Sequence, residues 1–176
     1  ISDIVDGIVW ASGGTVVGIP ANATPAKVIN MSLGGSGTCD VAYQTAIDAA
    51  VGRGTVVVVA AGNSNADASG HRPANCNNVI AVAALDREGN RASYSNFGAK
   101  VDIAAPGGET SPTAANGVLS TLNFGTTTPY PSTSGYYARL QGTSMAAPHI
   151  AGLAALMRSR NPALTPAQVE ATLKAN

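Results

Sequence analysis

An α/β fold, with a parallel sheet flanked by helices on both faces, is predicted by three features of the sequence. Residues 55–61 and 79–85 are continuously apolar, as expected of strands covered on both faces and not of strands with one wet side. Between residues 40 and 53, Tyr43, Ala46, Ile47, Ala50 and Val51 recur at helical spacing, and Gly52 and Gly54 close the segment, which reads as a crossover helix. Upstream of it, Val28-Ile29-Asn30-Met31-Ser32-Leu33 is short and β-branched at its start. Strand, crossover helix and strand make a β-α-β unit, whose strands run parallel.

The remaining elements follow in order. Ile4, Val5, Ile8 and Val9 mark one face of a first helix that begins after Ser2 and ends before Gly13-Gly14. Residues 101–105 supply a further apolar strand. Residues 106–141 are rich in Gly, Ser, Thr and Pro, with Tyr130, Tyr136 and Tyr137 interspersed, and are expected to be irregular with a hairpin inside. Residues 144–158 form an apolar helix with Ala146, Ala147, Ile150, Ala151, Leu153, Ala154 and Leu156 on most sides, expected to be buried. Thr165 as N-cap, Pro166 at the first helical position and Gln168 three residues after the cap start a C-terminal helix with a capping box.

The bulk numbers bound the function. With 176 residues, 45% of them hydrophobic, the chain is large enough for one core and one domain. Ten basic and ten acidic residues leave no net charge and no basic stripe, so neither nucleic acid nor an anionic membrane surface is an expected partner. No apolar run approaches the roughly 20 residues of a membrane span. The chain opens at Ile1 without an initiator Met, and is expected to be processed or excised from something longer. Cys39 and Cys76 lie 37 positions apart with no CxxC and no Cys/His cluster, which leaves a disulfide or two free thiols and argues against a thiolate metal site.

Three segments can carry chemistry. In Gly142-Thr143-Ser144-Met145-Ala146-Ala147-Pro148-His149 a serine sits where a loop enters a buried helix. The positive end of the helix dipole and the unpaired N–H groups there favour negative charge on an attacked carbonyl, although a serine in that place is also an ordinary cap. The strand at 55–61 ends in Gly62-Asn63, where ligands of α/β sheets bind, and the Asn amide could donate to an oxyanion or make a plain turn. Ser32-Leu33-Gly34-Gly35 ends another strand, and its glycines leave a backbone edge open to an extended peptide or simply turn the chain.

In this order Ser32-Leu33-Gly34-Gly35, Ala60-Ala61-Gly62-Asn63 and the segment around Ser144, with Ser93-Tyr94-Ser95-Asn96-Phe97-Gly98 leading to Val101-Asp102-Ile103-Ala104-Ala105-Pro106-Gly107, resemble the subtilisin-like serine proteases over nearly the whole chain. The resemblance implies that Ser144 is the nucleophile and that Asn63 and the Ser144 backbone N–H form the oxyanion hole. It implies that Ser32, Leu33, Gly34 and Gly35 pair with the substrate backbone, and that Ala60, Ala61 and Gly62 wall the pocket for the side chain before the scissile bond. Walls this small suit large side chains. Arg72-Pro73-Ala74 falls at another pocket-forming segment, where the family often has a cis proline; trans is the default for the bare sequence.

The departure is equally informative. The Asp and His of the family's triad lie in motifs upstream of everything here, and neither motif is present. His149 follows Ser144 by five residues and is expected to be structural, and an order Asp, His71, Ser144 is formal only, since the family places its His elsewhere. Residues 1–176 are therefore expected to be the C-terminal portion of a subtilisin-like peptidase domain whose N-terminal part is missing. That portion should be nearly inactive alone, with an exposed apolar sheet edge, and should be partnered by the N-terminal portion of the same precursor carrying Asp and His. A serine endopeptidase acting on peptides or proteins is the expected function, and a catalytically dead peptide-binding module is the alternative. An α/β-hydrolase esterase fails because Ala146 replaces the last Gly of its Gly-x-Ser-x-Gly and no suitable His follows, and a purely structural domain leaves the strand-end segments without a reason.

The resemblance also favours secretion and a Cys39–Cys76 disulfide over free thiols. It needs no cofactor for catalysis, and suggests a structural calcium held by the Asp102 carboxylate and the backbone carbonyls of Asn77 and Val79.

Overall fold

The computed structural model describes residues 1–123, 125, 127–129 and 136–175. Along the chain the elements are α1 (Ser2–Ala11), β1 (Val28–Met31), β2 (Gly35–Ser36), α2 (Val41–Gly52), β3 (Val56–Ala60), β4 (His71–Arg72), β5 (Ile80–Leu85), β6 (Ile103–Pro106), β7 (Val118–Thr121), β8 (Tyr137–Leu140), α3 (Thr143–Arg160) and α4 (Pro166–Lys174). The strands β1, β3, β5 and β6 pair in that order, all parallel. β3 is buried at all five positions, as its unbroken apolar run requires. Its side chains divide between two cores. Val56, Val58 and Ala60 join Ile80, Val82 and Ala84 under α3 and α4. Val57 and Val59 join Met31, Ala81, Ile47 of α2 and Ile8 of α1 on the other face.

α3 lies across this sheet because its buried stripe is made of small residues: Ala146, Ala147, Ala151 and Ala154, with Ile150. The sequence suggested burial on most sides, yet Leu153 and Leu156 are 45% and 69% exposed; contact with a single sheet covers only one stripe of a helix. Pro148 interrupts the first turns of α3 without breaking it. Because Pro148 has no N–H, the Ser144 carbonyl four residues earlier loses its helical donor. The Ser32 hydroxyl replaces it at 2.8 Å, tying the helix start to the end of β1.

The C-terminal helix carries the expected capping box, Gln168 N donating to Thr165 Oγ1 at 3.3 Å and Thr165 N to Gln168 Oε1 at 2.9 Å. The predicted hairpin is β7 with β8, antiparallel, and part of its connection, Tyr130 included, falls outside the described residues. The antiparallel ribbon of β2 with β4, pairing Gly35 with Arg72 and Ser36 with His71, has no counterpart in the sequence reading. Arg72–Pro73 is cis, not the trans default. Cys39 and Cys76 form the disulfide, with Cα atoms 5.1 Å apart. It ties the start of α2 to the segment after β4, a closure that contributes about 3–4 kcal/mol in the chain-entropy picture. Among the described residues β1 has no neighbour on its outer edge, and no helix is long and apolar enough to cross a membrane.

Candidate active site

The carboxyl ends of β1 and β3 open beside the first turn of α3, the place where parallel sheets bind ligands. Ser144 is half-buried there and donates its hydroxyl to the Ser32 carbonyl at 3.3 Å. Together with the bond from the Ser32 hydroxyl to the Ser144 carbonyl, this makes a two-way clasp between strand end and helix start.

Asn63 follows β3 across Ala61 and Gly62. Its Oδ1 accepts from Thr143 N at 2.8 Å and from Thr143 Oγ1 at 2.9 Å. With the oxygen so engaged, the amide cannot flip and Nδ2 points away from Thr143. A methyl group built on Gly142, where φ is +147°, would sit 3.5 Å from Asn63 Nδ2 and 3.6 Å from Ser144 N. Asn63 Nδ2 and Ser144 N thus both lie within 3.6 Å of one point beside Gly142. In the first turn of a helix the Ser144 N–H has no helical acceptor, so it is available to an incoming oxygen.

Two residues that the sequence reading quoted without a role hold this arrangement. Thr143 is fully buried, and Gly62 N donates to its Oγ1 at 3.1 Å, so one hydroxyl bridges the backbone before Asn63 and the Asn63 side chain. Asn96 is also fully buried. Its Oδ1 accepts from Ser64 N and Ala66 N, and its Nδ2 donates to the Ala61 carbonyl at 2.8 Å. Gly62, at φ +106°, has no room for a side chain, since a Cβ would lie 2.3 Å from Asn96 Nδ2. A buried polar side chain in a motif was the only signal available for either, because the partners are up to 81 residues away. The Tyr94 hydroxyl accepts from Gly142 N at 2.9 Å and donates to the Gly108 carbonyl at 2.5 Å, and burial pushes its pKa up.

A cavity of about 350 Å³ extends from Ser144 between the two strand ends. Ser32, Leu33, Gly34 and Gly35 line one side, and Ala60 and Gly62 the other. Ala61 is fully buried beneath that wall and does not line it. His71 and Ser64 line the cavity as well. A second cavity, about 310 Å³ near Asp86 and Arg139, contains none of the expected site residues. Neither histidine is hydrogen-bonded to Ser144: His149 is exposed with Nδ1 at 2.8 Å from the Met145 carbonyl, and His71 Nε2 lies 3.2 Å from Ser64 Oγ.

The residues suggested for calcium do not fit the ion. Asp102 Oδ1 receives the Lys174 ammonium at 2.7 Å, and Oδ2 accepts from Ala81 N at 2.9 Å. The Asn77 carbonyl accepts from Gln44 Nε2, and its Oδ1 from Lys100 Nζ at 3.3 Å. Val79 is buried in the core with α2. A divalent cation needs several free oxygen ligands, whereas two ammonium groups already occupy this neighbourhood. The hydrogen bond to Asp102 raises the Lys174 pKa, as expected of a cation held by a carboxylate. Among the described residues no cluster of His, Cys, Asp and Glu could hold a metal ion.

A family model described as the Subtilase family matches residues 1–176. This chain belongs to the subtilase family. Among similar subtilases, an extracellular protease of Xanthomonas campestris pv. campestris is 61% identical over 99% of this chain and 28% of its own length. Subtilisin DY of Bacillus licheniformis is 43% identical, with 96% and 52% covered. A solved structure of proteases from Pseudoalteromonas arctica superposes with a TM-score of 0.94 at 55% identity, covering 99% of this chain and 51% of that one. A cold-adapted subtilisin-like serine proteinase gives a TM-score of 0.77 at 34% identity, with 99% and 54% covered. The fold is thus the subtilisin-like one, and the chain spans about half the length of these last three proteins and just over a quarter of the first.

Proposed function

We propose that this chain supplies the nucleophile, the oxyanion hole and the acyl-side pocket of a secreted subtilisin-like serine endopeptidase. The observation that carries the reading is that Asn63 Nδ2 and Ser144 N lie 3.5 and 3.6 Å from one point beside Gly142, where Asn63 and Ser144 line a single cavity. In the reaction, Ser144 Oγ bonds to the carbonyl carbon of the scissile peptide. The carbonyl π electrons move onto oxygen, which takes hydrogen bonds from those two donors, stronger to the oxyanion than to the ground-state carbonyl. The Ser144 proton passes to a histidine and from there to the leaving amine, and water then releases the acyl group by the same steps. The histidine and its aspartate come from the N-terminal portion of the same precursor, which packs on the open edge of β1. Support for that partner is the coverage of about half of the subtilisin relatives and the absence, among the described residues, of a histidine bonded to Ser144. The chain alone is accordingly nearly inactive. The reading of secretion rests on relatives named as extracellular proteases.

The test is fluorophosphonate labelling of the full-length protein and of this chain alone, followed by intact-mass analysis. Labelling of the full-length protein that disappears in Ser144→Ala, with no labelling of the isolated chain, is the expected result. An unlabelled full-length protein that still binds peptides would instead establish the catalytically dead module.

A further inference from the structure

The cavity beside Ser144 is also lined by a polar pair, Ser64 and His71, that no catalytic step uses. β4 brings His71 there, and its backbone is fixed by pairing with Ser36 of β2. The ring edge comes close to the opposite wall, so that a Cβ on Gly62 would be 3.0 Å from His71 Cδ2. On the β2 side the wall is equally tight: a Cβ on Gly34 would lie 2.8 Å from the Arg72 carbonyl oxygen. His71 Nε2 is 3.2 Å from Ser64 Oγ, while Nδ1 is buried with no partner.

An N–H on Nδ1 would be a buried donor without an acceptor, which costs more than an unpaired lone pair there. With the hydrogen on Nε2, the ring donates to Ser64 Oγ, and the Ser64 hydroxyl hydrogen is left to the cavity. The charged neighbours do not compete for it. The Arg72 guanidinium turns away to Asp40 at 2.9 Å, and the Asp67 carboxylate accepts from Ser69 N, a bond that lowers its pKa. No carboxylate is among the residues lining this cavity, so a lysine or arginine side chain finds no counter-charge.

We propose that Ser64 and His71 together determine specificity, making the pocket select a neutral side chain that ends in a carbonyl oxygen, glutamine, immediately before the scissile bond. The small walls formed by Ala60 and Gly62 read from the sequence as room for a large side chain; His71 lines the same cavity and adds a polar edge to it. An aromatic side chain would leave the Ser64–His71 pair without its acceptor, and sites built to hydrogen-bond a substrate group discriminate strongly against analogues that lack it. This inference rests on the endopeptidase reading.

The experiment compares peptide p-nitroanilides that share one peptide sequence and differ only in the last residue, Gln, Glu, Leu, Phe or Lys, cleaved by the full-length protein. The expected kcat/KM for Gln exceeds that for Phe by about tenfold or more, with the charged Glu and Lys both below Gln. His71→Gly should reverse the Gln to Phe order by deepening the pocket and removing the ring. Ser64→Ala, at an exposed position that cannot disturb folding much, should lower the Gln to Phe ratio about tenfold. A wild-type preference for Phe or Leu, or a ratio unmoved by both substitutions, overturns the proposal while leaving the endopeptidase reading intact. Absence of both cleavage and fluorophosphonate labelling overturns the endopeptidase reading and this inference with it.

Discussion

Along the loop that follows β3, Asn63 has its Oδ1 held by two bonds from Thr143, while eight residues later His71 has one ring nitrogen against Ser64 and the other with no partner. Both side chains line the same cavity. The Asn63 end is over-determined: Thr143, Asn96 and Tyr94, all tied to backbone groups, fix the amide, the Gly62 turn and the start of α3. The His71 end is fixed in its backbone but spare in its polar atoms. Donors that act on a transition state gain from having no freedom to lose, whereas a group that reads a side chain keeps bonding capacity for the ligand. On the proposed reading, the contrast separates the part of the cavity that performs chemistry from the part that chooses substrates.

The strongest way to break this contrast is Asn63→Ala in the full-length protein. It should lower kcat by about 10²–10³ with little change in KM, the scale known for the matching asparagine of subtilisin. Steady-state kinetics decide it, and a loss confined to KM would place Asn63 in ground-state binding. Thr143→Val sharpens the contrast one step out, since the isostere keeps the shape but leaves Gly62 N unpaired. A stability loss of about 1–3 kcal/mol is expected in denaturant unfolding, together with a roughly tenfold fall in kcat, KM within about twofold, and recovery in Thr143→Ser. Equal damage to kcat and KM would show that Thr143 shapes the pocket instead of positioning the amide. The smallest effect belongs to the remote Asp102–Lys174 pair, where Lys174 is nearly half exposed. Lys174→Ala should cost under about 1 kcal/mol. Thermal unfolding of Asp102→Asn should show the same calcium response as wild type, and a response lost in that variant would mean that the ion displaces Lys174.

Much of the fold was legible because its signals are local. The unbroken apolar run of β3, the helical spacing of Tyr43, Ala46, Ile47 and Ala50, and the capping box at Thr165 each fall within a dozen residues. Ser144, Asn63 and the disulfide pair were legible through a resemblance carried by short motifs. The β2–β4 ribbon was not, because two residues on each side carry no periodicity. Leu153 and Leu156 looked like core, since hydrophobicity says that a residue can be buried and not that something covers it.

By itself the sequence determined the class of the sheet, its helices, and which residue types stand at the strand ends and the helix start, because alternation, capping and turn chemistry act over a few residues. Only the tertiary structure decided that Thr143 fixes the Asn63 amide, that Ser32 takes the carbonyl released by Pro148, that Lys174 meets Asp102, and that His71 lines the cavity beside Ser64. Those partners lie between 7 and 112 residues apart. A hydrogen bond at such separation exists only once the sheet has set the distance, and nothing in the local chain encodes it.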